Sequence, residues 1–106
     1  MTRGEIILVK FPFTDLTGSK LRPAMVLAER DQDILTAFIT SNTDSLNIDE
    51  VIVEADAKNK LKQKSKINLF KLATLKKSLV LGKLGNMSES LLDTIDKKLV
   101  QILNIK

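Results

Sequence analysis

Residues 5–41 read EIILVKFPFTDLTGSKLRPAMVLAERDQDILTAFITS, and the fold turns on this stretch. Glu5 to Phe11 is rich in β-branched and apolar residues and stops at Pro12, which reads as a first strand. Phe13 to Leu21 collects the turn formers Asp15, Thr17, Gly18 and Ser19 and reads as an exposed loop. Pro23 to Glu29 resumes strand character, with proline tolerated at the first position. The polar turn ERDQD then leads into a third apolar run, Ile34 to Ser41, which ends in small polar residues.

Further along, Glu50 to Glu54 (EVIVE) alternates polar and apolar positions like a strand. The basic stretch ADAKNKLKQKSK predicts one short helical turn plus loop. Ile67–Leu72 and Leu79–Leu84 predict two more short strands joined through ATLKKS. From Asn86 the period changes: Leu91, Leu92, Ile95, Leu99, Ile102 and Leu103 recur at helical spacing, and Ser88 or Asn86 can cap the N-terminus. Lys97 and Lys98 fall in the second half, where the helix dipole favours cations. The expectation is a mainly β protein: five to seven short antiparallel strands curled into a small, partly open barrel, with one C-terminal helix over one side. There is no βαβ alternation and no glycine-rich phosphate loop, which argues against a nucleotide-binding parallel sheet.

The 106 residues fit a single domain, 1–106. The chain contains no Cys, so disulfides, thiolate zinc sites and cysteine nucleophiles are excluded. It also contains no His, which removes the usual near-neutral general base and the commonest metal ligand. Any chemistry must come from Arg, Lys, carboxylates, hydroxyls and backbone groups. Residues 1–54 hold five Lys/Arg against nine Asp/Glu, whereas residues 55–106 hold twelve Lys against four Asp/Glu, a net of +8. A basic half suits a polyanion or an acidic protein as partner, and equally a solvated lysine-rich surface. No signal peptide and no apolar stretch near the ~20 residues of a membrane span is evident, so a cytoplasmic protein without membrane association is expected.

Three segments gather polar groups beside strands. Arg22 follows the loop TDLTGSKLRP directly, and Pro23 limits its backbone to extended conformations. A guanidinium held there offers a charged fork of donors to a phosphate; read blandly, it is one more surface cation. Thr40, Ser41 and Asn42 bring three hydrogen-bonding side chains to a strand end, which can orient a substrate or simply start a turn. The lysines from Lys58 to Lys66 act as a source of positive field rather than as a catalytic centre. Of the four phenylalanines, Phe13 is the candidate for stacking on a base, and Phe11, Phe38 and Phe70 are expected in the core.

Taken in order, Arg3-Gly4-Glu5, Phe11-Pro12, Gly18-Ser19, Arg22-Pro23, Ile39-Thr40-Ser41, Ser65-Lys66-Ile67 and Lys71-Leu72-Ala73-Thr74-Leu75 resemble the PemK/MazF family of bacterial toxins. Gly82 or Gly85 and the terminal helix extend the resemblance over nearly the whole chain. The resemblance implies an SH3-like barrel that forms a homodimer and acts as the toxin of a type II toxin–antitoxin system. It implies an endoribonuclease, an mRNA interferase, that cuts single-stranded RNA to 2′,3′-cyclic phosphate and 5′-hydroxyl ends without metal or other cofactor. Motif by motif, the catalytic arginine falls on Arg22 and the catalytic threonine on Thr40. Ser41 matches a substrate contact and Gly18-Ser19 the segment bordering RNA; Phe13, Lys20 and Asn42 complete the candidate substrate-binding set. Asp15 is a candidate substitute carboxylate. The implied protein partner is a cognate antitoxin whose acidic, disordered tail competes with RNA. A second reading keeps the barrel but not the chemistry: an SH3-like module binding nucleic acid or a protein tail.

Overall fold

A computed structural model describes residues 1–11 and 20–105. Among these, six strands precede one helix: β1 (Glu5–Phe11), β2 (Lys20–Arg30), β3 (Asp33–Thr40), β4 (Glu50–Val53), β5 (Ser65–Lys76), β6 (Val80–Asn86) and α1 (Glu89–Leu103). They form one antiparallel sheet in the order β4-β5-β3-β2-β1-β6. This is the mainly β architecture with a terminal helix that the sequence predicts.

The near-continuous apolar runs bury both faces of the sheet. Alternation puts Ile7, Val9, Ala24, Val26, Ile34 and Leu75 into one cluster. Their neighbours Ile6, Met25, Ala37, Ile39, Ile67 and Leu69 enter a second, larger cluster with Val51, Val53 and Met87. α1 lies against this larger cluster: Ile95 is fully buried, and Leu91, Leu92, Leu99 and Ile102 pack around it. The Ser88 hydroxyl caps the helix by accepting the Leu91 N–H at 3.3 Å, and Asn104 ends it in the left-handed conformation at φ 54°. Arg3 pairs with Asp96 and ties the N-terminal segment to the same helix. No helix among the described residues is long and apolar enough to cross a membrane.

Register shifts between β1 and β6, β2 and β3, and β3 and β5 bend the sheet, as irregular pairing generally does. The remaining gap between edge strands β4 and β6 is bridged by the chain that leaves β4. There the Asn86 N–H donates to the Lys58 carbonyl at 2.9 Å. Gly85 lies flat against this backbone; a Cβ at that position would stand 2.3 Å from the Lys58 oxygen. Only glycine permits that approach.

Two expectations are corrected. The stretch ATLKKS does not separate two short strands, because β5 runs unbroken for 12 residues and only a 3₁₀ turn at Lys77–Leu79 precedes β6. The strand survives its own kink because the Asn68 side-chain oxygen accepts the N–H groups of Phe70 (2.9 Å) and Lys71 (3.1 Å) where pairing with β3 is interrupted. At that kink Phe70 is 71% exposed, so it is not a core residue.

Candidate nucleic-acid interface

A groove of about 580 Å³ opens where β2, the end of β3 and the β4–β5 connection meet. Leu8, Ile39, Leu61 and Leu84 supply apolar lining, and Arg22, Thr40, Ser41, Lys60, Lys62 and Gln63 supply polar groups. Arg22 stands opposite Val9 in the β1–β2 register, and its side chain is exposed. Pro23 follows it opposite Leu8, so the guanidinium leaves the sheet from a restricted backbone. Thr40 is the last residue of β3 and is half-buried. Its hydroxyl oxygen accepts the Asn42 N–H at 3.2 Å, which leaves its own O–H free to donate.

The structure thus gathers Arg22 of β2, Thr40 at the end of β3 and Ser41 just beyond it in one groove. Asn42 is exposed and does not line it; its side-chain oxygen accepts the Asp44 N–H and shapes the turn. Lys20 opens β2 opposite Phe11. Phe13, Asp15, Gly18 and Ser19 lie outside the described residues.

The loop after Thr40 is fastened by a buried ion pair. Lys66, the β5 register partner of Thr40, donates to Glu50 at 3.1 Å and to the Ser45 carbonyl at 2.7 Å. The two side chains are 9% and 4% exposed. Glu50 also accepts the Asn47 N–H at 2.7 Å and the Asn68 amide at 3.3 Å. The Asn47 N–H, followed by Lys66, holds the Glu50 carboxyl below its usual range against the opposing effect of burial. Lys66 is therefore no part of the solvated lysine field expected for residues 58–66. Strand β5 begins one residue before it, which turns its side chain inward between Thr40 and Ile52.

The other lysines sit on a loop held together by bonds from side chains to backbone. Asn59 is 2% exposed; its oxygen accepts the N–H groups of Asp56 (3.1 Å) and Leu61 (2.9 Å), and its amide donates to the Glu54 carbonyl at 2.8 Å. The Asp56 carboxylate accepts the N–H groups of Lys58 and Asn59 at 2.9 and 2.7 Å. Lys60 donates its N–H to the Asp56 carbonyl, completing the single helical turn predicted here, and takes φ 57°. The legible signal was Asp56 and Asn59 three apart, a side-chain-capped turn pattern.

Residues 2–103 match the family described as "PemK-like, MazF-like toxin of type II toxin-antitoxin system". The chain belongs to this PemK/MazF toxin family. Solved structures agree on the fold. The Mycobacterium tuberculosis toxin MazF-mt6 superposes with a TM-score of 0.77 at 20% identity, over 96% of this chain and 98% of that one. A mycobacterial endoribonuclease in complex with its cognate antitoxin gives 0.75 at 18% identity, over 98% and 95%. No curated protein sequence matches the chain. The PemK/MazF match spans the strands that build the groove and the helix that backs the larger core.

Proposed function

We propose that this PemK/MazF chain is the endoribonuclease toxin of a type II toxin–antitoxin pair, acting in the cytoplasm on single-stranded mRNA. The observation that carries the reading is the convergence of Arg22, Thr40 and Ser41 in one groove with Lys60 and Lys62. In the reaction the ribose 2′-hydroxyl gives up its proton as its oxygen bonds to the adjacent phosphorus, while the bond from phosphorus to the 5′-oxygen breaks and that oxygen takes up a proton. The products are a 2′,3′-cyclic phosphate and a 5′-hydroxyl. Arg22 stabilises the charge that gathers on the equatorial oxygens, a task suited to a permanently protonated fork of donors. The Thr40 O–H orients the attacked phosphate, and Ser41 adds a further hydrogen bond. The cleavage proposed is metal-independent, with the Arg22 guanidinium supplying the charge stabilisation. The active species is a homodimer, and an antitoxin with an acidic, disordered tail blocks the groove by occupying the same cations as RNA.

Cleavage by variants tests the assignment. Arg22→Ala should lose at least about a hundredfold in rate, the scale for removing one oxyanion donor. Arg22→Lys should recover only part of the loss, because a point charge does not reproduce the fork. Thr40→Ala should lower turnover with little change in RNA affinity. Chelator should leave the rate unchanged, and a 2′-deoxyribose at the scissile position should block cutting. Activity persisting in Arg22→Ala, or cleavage of the deoxy substrate, would overturn the mechanism. A wild-type protein that binds RNA and cuts none would be a binding module instead.

A further inference from the structure

The lysines between Lys58 and Lys66 carry equal charge but not equal placement. Lys66 is buried against Glu50. Lys64 pairs with Glu54 at 3.7 Å, and neither it nor Lys58 lines the groove. Lys60 and Lys62 do line it, on the wall formed by the β4–β5 connection, together with Gln63 and across from the strand that carries Arg22. A diffuse positive field would not need a rigid support, yet the buried Asn59 and the Asp56 carboxylate fix the backbone from 54 to 61, which carries Lys60 and ends one residue before Lys62. The loop is also bonded to β6 through Asn86 and pressed on Gly85. Two cations on a preorganised wall lose less freedom on gripping an anion than cations on a free loop.

We propose that Lys60 and Lys62 form a second phosphate subsite, which holds the phosphodiester neighbouring the one at Arg22 and so sets the path of the strand through the groove. This rests on the reading of the groove as an RNA site. The subsite is geometric rather than general: it distinguishes these two lysines from Lys58 and Lys64, which lie in the same loop and carry the same charge.

The test compares two variants of identical net charge, Lys60→Gln/Lys62→Gln and Lys58→Gln/Lys64→Gln. The probe is an uncleavable, mixed-sequence 2′-O-methyl RNA about a dozen nucleotides long, titrated from 0.1 to 1 M salt. Loss of one phosphate contact should flatten the log–log salt dependence by about 0.7, which is roughly fivefold in affinity at 0.1 M relative to 1 M. That loss is expected for the groove pair and not for the control pair, and Lys60→Arg/Lys62→Arg should retain the wild-type slope. Replacing a single phosphate of the probe by neutral methylphosphonate, one position at a time, should abolish the difference at one position. Equal losses in both pairs, with wild type binding normally, would overturn the subsite and leave the RNA reading standing. Failure of wild type to bind the probe would overturn the RNA reading itself, and the subsite with it. Binding with the predicted asymmetry but no cleavage of ordinary RNA would leave the subsite in place on a non-catalytic groove.

Discussion

Replacing Lys66 by methionine should be among the most damaging single changes in this chain. The substitution keeps an unbranched side chain of similar length but removes the charge facing Glu50, whose side chain is only 4% exposed. Glu50 would keep the Asn47 N–H and the Asn68 amide but lose its counter-charge, and the Ser45 carbonyl would lose the Nζ donor at 2.7 Å. Breaking a buried pair from one side costs about 3–5 kcal/mol, because an uncompensated charge remains inside. At the lower end, and at roughly 4–8 °C per kcal/mol for a small domain, the melting temperature should fall by about 12–24 °C. The double variant Lys66→Met/Glu50→Leu removes both charges and should regain most of that loss, short of wild type because Asn47 is left without its acceptor. Urea unfolding of the three proteins gives the energies, and RNA cleavage gives the second readout. The double variant should stay slow in turnover even when folded, since the loop after Thr40 has lost its tether at Ser45. A single variant within about 1 kcal/mol of wild type would refute the reasoning, showing the pair to be no stronger than an exposed one.

The same network sets an acid limb. Because the folded Glu50 carboxyl titrates below its ordinary value of 4.5, its contribution is complete above that pH and is lost as pH falls through the lower, folded value; Glu50→Gln should flatten stability against pH in that range, as read by thermal melts. Gly85→Ala puts a methyl 2.3 Å from the Lys58 oxygen and should cost about 1–3 kcal/mol by overpacking, with faster hydrogen exchange at the Asn86 amide. Asn59→Ala strands the buried Leu61 N–H and takes the acceptor from the Asp56 N–H; at about 1–3 kcal/mol per buried group left unsatisfied it should destabilise by at least about 1 kcal/mol in urea. An Asn59→Ala protein as stable as wild type would mean that water replaces the side chain.

Strand identities and the helix were legible because their signals are local. Glu5–Phe11 ends at a proline, and the leucines and isoleucines after Ser88 keep a helical period. Arg22 and Thr40 were legible as candidates from their positions at strand ends, and the groove does hold both. Long-range facts were not legible. Nothing in KSKINLFKLATLKK announces that its second lysine turns inward, since that depends on Glu50 arriving from another strand. The exposure of Phe70 depends in the same way on Asn68 occupying two backbone amides at a kink, a choice the sequence pattern of β5 does not distinguish from regular pairing.

The closure between β4 and β6 leaves an opening for change. Within residues 54–61 the scaffold is written in Asp56 and Asn59, whose side chains bond backbone groups, and in the bare Gly85 that packs against the Lys58 and Asn59 backbone. The side chains of Lys58 and Lys60, interleaved with them, and of Lys62 just beyond are all exposed and carry no part of that closure. Architecture and surface chemistry thus occupy different letters of the same loop. Substitutions at 60 and 62 can change the charge the groove presents while the closure between β4 and β6 stays intact, so this short segment can vary its surface without loss of architecture.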